Sequence, residues 1–523
     1  MVCVPGGRPE SGTMQLLGID YLIVLFYLGG IVLLGFVFKS TVHSSNDFFL
    51  AGKTLPFWAI GMSIVVSDIG AVDMVGLTGQ AYRFGIVAAN FDWIGSVPAM
   101  ILAGLVFVPY YWRAGVYTIP EYLGRRYNVH LQTLAAIAWL VFMTFGLGVV
   151  LWATGVLLAE LMGWNIMLAI VVTAVVVGFY TIMGGLTAVV MTDVVQMIIM
   201  FIGSLAILIL GLWEVGGWGA LVEKVEAMGP AYANHFNLVI PATEDTPYPW
   251  TGILFGLGLV LAPAYFIGNQ TIVQRCLGAA DAWSAKASML FAAFLKICIP
   301  VLVVVPGLVA VVLYPGLEDG DSAYAVMIRE LLPPGMTGLV FAAFFAALMS
   351  SVDSALNSAA TIFTKDVYEK FIRKGAGDRH YLFVGRLVTF VVLIAAVVTA
   401  PLSERFEGVY VYVQTINSFI QGPFLAVLIL GIFWKRTTQW AGLIGFLSGI
   451  AIAAILHVFK GGLFTIQEPF LYIAWWSFAG SLLITAGVSF VTRPHPPERL
   501  RGLVYGMVGE DEELQEALRR RIK

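Results

Sequence analysis

Two aspartates, Asp68 and Asp73, interrupt an otherwise apolar run at VVSDIGAVDMVG, with Gly70 and Gly76 beside them. A carboxylate inside a lipid-spanning helix is costly and marks a cavity or an ion path. Glycine eases local unwinding, which frees backbone carbonyls to hold a cation. A second apolar run is interrupted at LAPAYFIGNQT, through Pro263, Gly268, Asn269 and Gln270; a proline inside a span removes a donor and kinks the helix. Taken singly, either break could serve only close helix packing. Asp92 and Lys296 lie in two further apolar runs and could form a buried pair of opposite sign, able to hydrogen-bond hydroxyls from both sides. Asp193 and Asp353 add two more carboxylates. Holding small cations and a polar solute is within reach of these residues. Phosphate loops and metal-ligand spacings are absent, and three scattered cysteines (Cys3, Cys276, Cys298) form no framework. No enzyme chemistry is expected.

The elements that must carry these residues are membrane helices. The chain is 59% hydrophobic and 12% charged, against about 25% charged in soluble domains, and its mean hydropathy is +0.88. Runs long enough to span recur throughout, at 19–39, 57–82, 91–112, 132–162, 165–183, 188–213, 251–275, 290–314, 337–364, 380–401, 409–434, 438–458 and 470–492. The expected fold is therefore all-α and integral to the lipid bilayer, with about 13 transmembrane helices. An odd count puts the termini on opposite sides. With the N-terminus outside and the C-terminus cytoplasmic, twenty-two of the 29 Lys and Arg fall inside and six outside, with Lys296 within a span. That asymmetry satisfies the positive-inside rule for a multi-pass protein of the cell membrane. Nothing marks a nucleic-acid partner.

The two interrupted runs open consecutive sets of five spans. An odd number of spans per set forces the second to enter the membrane in the opposite sense, and paired broken helices in inverted halves point to a secondary transporter's binding site. The expected organisation is 1–56, an outside tail and first peripheral helix; 57–213, the first half; 214–250, an outside loop; 251–434, the second half; 435–492, two peripheral helices; and 493–523, a cytoplasmic tail. The loops 214–250 and 315–336 are lids or plain solvated connectors, and the end of the tail, EDEELQEALRRRIK, is expected as a short solvated helix.

The segment FAAFFAALMSSVDSALNSAATIFTKDVY resembles the corresponding helix of the sodium/solute symporter family, in its sodium/sugar branch. The resemblance extends through YTIPEYLGRRYN, YTIMGGLTAVVMTDVVQ, NQTIVQR, AAFLKICIPVLVVVPG and LAVLILGIFWKRTT. It implies a leucine-transporter-like 5+5 inverted repeat with broken helices. It also implies a sodium site made of carbonyls at Val66, Ile69 and Ala347 with the hydroxyls of Ser350 and Ser351. Asp193 matches an aspartate on the sodium release path, and with Asp353 and Ser354 it forms a possible second cation site, a shared proton being the alternative. For a sugar, Asp92, Lys296 and Gln414 match hydroxyl-binding residues, Tyr265 matches the inner-gate tyrosine, and Tyr410 falls at an outer aromatic. Three positions depart: Asp73 stands where sugar carriers have Gln or His, Ala262 where Asn occurs, and Asp68 where Asn is usual. The implied function is sodium-coupled import of a sugar or polyol. The alternative is a sodium- or proton-coupled symporter of an amino acid, monocarboxylate or vitamin, and a channel suits isolated charges on broken helices less well.

Overall fold

The computed structural model describes residues 17–405, 409–466 and 468–507. The first sixteen residues and the expected helix at 510–523 lie outside them. Helix α1 (Gly18–Phe38) is followed by a pair bent by 56°, α2 (Phe57–Asp68) and α3 (Ala71–Phe84), and then by α4 (Phe91–Ala114) and α5 (Val129–Met162). The next element, Ile166–Val215, has 50 residues. At about 1.5 Å per residue it is far longer than a bilayer requires. It breaks at Gly185 (φ 57°, ψ −158°) into α6 (166–184) and α7 (186–215). A second pair, bent by 48°, is α8 (Gly252–Gly268) and α9 (Gln270–Leu277). The remaining spans are α10 (Ala282–Leu313), α11 (Met336–Ile362), α12 (Asp378–Thr399), α13 (Val409–Phe433), α14 (Gln439–Val458) and α15 (Phe470–Val491). Ten helices cross by length and composition, or 12 with each bent pair as one span. Splitting the Gly185 element adds one more, which gives the expected thirteen among the described residues.

Three expectations change. The fifth and sixth spans are joined by a single kinked glycine rather than a loop, because the short helix Ser45–Leu50 packs beneath the kink. A Cβ on Gly185 would lie 2.7 Å from the Phe48 carbonyl oxygen, and its positive φ is disfavoured for any other residue. Lys296 was expected a turn or two into its span, but α10 begins at Ala282, so Lys296 lies near the middle and cannot snorkel. The segment 229–250 is not a loose connector. Ile86 donates its N–H to His235 O (2.7 Å), Asn90 Nδ2 donates to Leu238 O (2.7 Å), and the buried Tyr248 donates its hydroxyl to Gln80 Oε1 (2.7 Å).

Helices approach closely where side chains are small. A Cβ on Gly203 of α7 would meet the Ala343 Cβ of α11. Helix α15 turns Ser477, Ser481, Thr485 and Ser489, one per turn, into α13 and α14, and Thr485 and Ser489 each donate a hydroxyl back to the carbonyl four residues earlier at 2.7 Å. Small residues let membrane helices pack backbone to backbone, where apolar bulk cannot drive association. The visible tail also docks: Tyr505 donates its N–H to Ile432 O (2.7 Å), and the Tyr122 hydroxyl donates to Leu503 O (3.0 Å).

Candidate substrate and cation site

Between α2, α3, α4, α8, α10 and α13 lies a cavity of about 140 Å³. Its lining includes Asp73, Asp92, Tyr265, Lys296, Tyr410 and Gln414, all six residues expected to face the solute, together with Asp68 and Ala262. They come from six helices, α2, α3, α4, α8, α10 and α13, three of which belong to the two bent pairs. Lys296 Nζ is paired with Asp92 Oδ1 (2.9 Å) and with Asp68 Oδ2, so the ammonium bridges two carboxylates from different helices. The expected Asp92–Lys296 pair exists, and the second carboxylate completes it. Desolvating one ammonium is offset better by two acceptors than by one. Asp73 occupies the third helical position of α3, where its Oδ2 accepts the Gly70 N–H (3.1 Å). Asn417 Nδ2 donates to Gln414 Oε1 (3.1 Å), and Gln421 Nε2 donates to Asn417 Oδ1 (3.0 Å), which fixes the amide of Gln414. Phe91 lines the cavity too, packed edge-on against Tyr410 (5.1 Å) and Tyr248 (5.6 Å).

The break itself is chemically simple. In an unbroken helix the Gly70 N–H would bond the Val66 carbonyl; here it turns to Asp73 and leaves that carbonyl free. Ile69 leaves helical geometry (φ −95°, ψ 78°), so its carbonyl also points off the axis. Helix α11 presents Ser351 at this point, its hydroxyl within 3.0 Å of Ser67 O and 3.1 Å of Ala347 O. Neutral oxygens at Val66, Ile69, Ala347 and Ser351 are the donor set a weakly held monovalent cation needs. Ser350 departs from the expected set: its hydroxyl turns to Ser67 Oγ at 2.6 Å, toward the cluster below.

Asp193, Asp353 and Ser354 all fall in that cluster. Asp193 is fully buried on α7. Arg275, one of the twenty-two cations expected inside, is buried on α9, and its guanidinium lies among these groups. Arg275 lies 3.4 Å from Asp193 Oδ2, donates to Ser63 Oγ and Ser67 Oγ (both 2.6 Å), and donates to Ser354. Asp353 instead accepts from the Tyr180 hydroxyl (2.7 Å) and Ser354 Oγ (3.0 Å). The positive charge among these oxygens is thus the protein's own guanidinium. Ser63, Ser67, Tyr180 and Arg275 were not singled out from the sequence. The spacing of Ser63 and Ser67, one helical turn apart on the face of Asp193, was the available signal. Below the cluster, Gln274 Nε2 reaches Phe49 O (2.7 Å), Asn357 Oδ1 and Thr361 Oγ1 (both 2.8 Å), which ties α9 to α11.

Residues 48–449 match the sodium:solute symporter family. The sodium/glucose cotransporter of Vibrio parahaemolyticus is 35% identical over 463 residues, 84% of this chain and 85% of its own length. The human sodium/myo-inositol cotransporter is 31% identical over 547 residues, 93% of this chain and 75% of its own. Among solved structures, a Na+-coupled sialic acid symporter in a substrate-bound outward-open state aligns with a TM-score of 0.81 at 22% identity, covering 93% of this chain and 99% of that one. Mhp1, a nucleobase-cation-symport-1 family transporter, aligns with a TM-score of 0.56 at 13% identity, covering 91% and 100%. Those two likenesses speak for the fold, the leucine-transporter-like repeat with two broken helices. The match across most of the chain goes further: it belongs to the sodium:solute symporter family.

Proposed function

We propose that the protein is a sodium-coupled symporter that imports a sugar or polyol by alternating access. The observation that carries this reading is one cavity that combines aromatic walls with Asp92, Lys296 and Gln414, directly beside a helix break with free carbonyls and the Ser351 hydroxyl. A polyhydroxylated ring needs apolar faces and rim donors and acceptors together. The relatives named for glucose and for myo-inositol support the same class.

Sodium at Val66, Ile69, Ala347 and Ser351, with Ser350 turning in to complete the set, would join α2 to α11 and so bias the two halves toward one arrangement. Solute contacts from α3, α4, α10 and α13 would bias the same equilibrium, which couples the two gradients. Phe91, Tyr410 and Tyr248 form the outer barrier; Tyr265, the Arg275 cluster and the Gln274 bonds form the inner one. The halves 57–213 and 251–434 are the moving repeats, and 435–492 is peripheral. The N-terminus lies outside and the C-terminus in the cytoplasm. Arg126, which donates to the carbonyls of Gly431, Trp434 and Thr437, then belongs to the cation-rich inner end, and Arg83, paired with Asp319, to the outer.

Uptake into proteoliposomes of radiolabelled hexoses, myo-inositol and a panel of amino acids, with and without external sodium, tests the reading. Sodium-dependent entry of a sugar or polyol, lost in Ser351→Ala and in Asp92→Ala, is expected. Entry that ignores sodium and follows a proton gradient, or entry of an amino acid in place of any sugar, would overturn it.

A further inference from the structure

We propose that the cavity selects a polyol bearing an ammonium group, an amino sugar or aminated cyclitol, and that Asp73 is the partner of that ammonium. The proposal rests on the preceding reading that this cavity holds the solute, and it narrows the class.

Charge is the first argument. Asp68, Asp73 and Asp92 face the same cavity as a single ammonium, Lys296. That ammonium already bridges Asp68 and Asp92. Counting all four groups leaves two negative charges. A sodium ion at the neighbouring break removes one of them, and one remains. Carrying that charge through a cavity walled off from water is unfavourable unless the solute supplies its complement.

The position of Asp73 says where the complement belongs. Its Oδ2 is taken by the Gly70 N–H at the N-terminal turn of α3, a place that stabilises a carboxylate as the anion. Among the described residues that is the one side-chain hydrogen bond of Asp73, so Oδ1 is left for a ligand that donates.

Hydrogen-bond inventory is independent of charge and points the same way. Two of the three Lys296 protons go to carboxylates, and the Asn417 Nδ2 donor is spent on Gln414 Oε1. Three carboxylates against one remaining Lys296 proton and the Gln414 Nε2 amide leave the cavity richer in acceptors than in donors. A hydroxyl both donates and accepts, whereas an ammonium only donates. Phe91, Tyr265 and Tyr410 line the same space, and aromatic faces attract a cation where water is excluded.

The test is competition in proteoliposomes under a sodium gradient, with labelled D-glucose and myo-inositol as reporters and D-glucosamine, N-acetyl-D-glucosamine and D-glucuronate as competitors. Glucosamine should half-inhibit at about a tenth or less of the unlabelled glucose concentration, the scale of one hydrogen bond to a charged group. N-acetylation should abolish the advantage, because it removes the charge, and glucuronate should not compete. Asp73→Asn keeps an oxygen for the Gly70 N–H, removes the charge and turns the oxygen offered to the ligand into an amide donor. Whatever its effect on overall rate, the glucosamine-to-glucose ratio should fall to about one. Should the variant fail to assemble, the N-acetyl comparison on the unaltered protein decides alone.

Sodium-driven entry of neutral sugar with no preference for glucosamine, or a preference that Asp73→Asn leaves intact, would overturn this proposal and leave the symporter reading standing. A preference for neutral sugar that grows with acidity would overturn it in favour of a proton on Asp73. Absence of any sodium-driven entry, neutral or aminated, would overturn both.

Discussion

Among the described residues, two clusters of buried charge, around Lys296 and around Arg275, differ in what they face. In the upper one, Lys296 pairs with Asp68 and Asp92, with side chains 5%, 12% and 5% exposed, around a cavity. In the lower one, Arg275 and Asp193 are 1% and 0% exposed, and the neighbours are the hydroxyls of Ser63, Ser67 and Ser354. Both place a cation from one helix against carboxylates of others. The upper cluster uses an ammonium, a compact point charge that a ligand can share. The lower uses a guanidinium, whose fixed fork suits several oxygens at once. On the proposed function, one cluster accepts the solute and the other holds α2, α7, α9 and α11 together until they part.

The largest effect should come from breaking the sealed cluster. Arg275→Met leaves Asp193 buried without a cation, a loss of about 3–5 kcal/mol for a broken buried pair. The thermal midpoint in detergent should fall steeply, and Asp193→Asn added to it should restore part of the loss. A variant as stable as the parent would mean the guanidinium is solvated in the resting protein and the two clusters are alike.

Lys296→Met is the matched experiment in the upper cluster. It removes a cation from two carboxylates rather than one, but water in the cavity can solvate Asp68 and Asp92, so the expected stability loss is smaller, about 1–3 kcal/mol. Uptake should nevertheless vanish, because the hydroxyl-binding pair is gone. If the two midpoints fall equally, the cavity is as dry as the lower cluster and the distinction fails.

The upper cluster was far more legible from the sequence than the lower. Asp68, Asp73, Asp92 and Lys296 stand out because charges are rare inside apolar runs, and each break carries glycine or proline. Arg275 sits only a few residues past a break, where a sequence cannot distinguish the last turn of a half-helix from a cytoplasmic loop. Ser63 and Ser67 are ordinary in a membrane helix, and only the arrival of α7 and α9 gives them a partner. The same limit explains Gly185. Its kink is dictated by the Phe48 backbone, packed beneath it from a distant stretch of chain. The span count needed only hydropathy, whereas the lower cluster needed tertiary contacts between helices distant in sequence.

The finest test compares two serines, one in each region. Ser63 donates its hydroxyl to Asp193 Oδ2 (2.5 Å) and accepts from Arg275 Nε (2.6 Å), and it is fully buried. Ser96 lines the cavity and donates to the Phe91 carbonyl (3.1 Å). Ser63→Ala strands a guanidinium N–H with no water to replace the lost oxygen, so a midpoint shift corresponding to about 1–3 kcal/mol is expected. Ser96→Ala frees a carbonyl that already has its helical role, beside a space that admits water, and should cost under about 1 kcal/mol. The difference between the two variants matters more than either value, since both delete the same atom from a membrane helix. A Ser96→Ala loss equal to that of Ser63→Ala would place the two regions in the same dry environment. The cavity would then have to be closed to water as well as to solute in this conformation, and the Lys296→Met loss should rise with it.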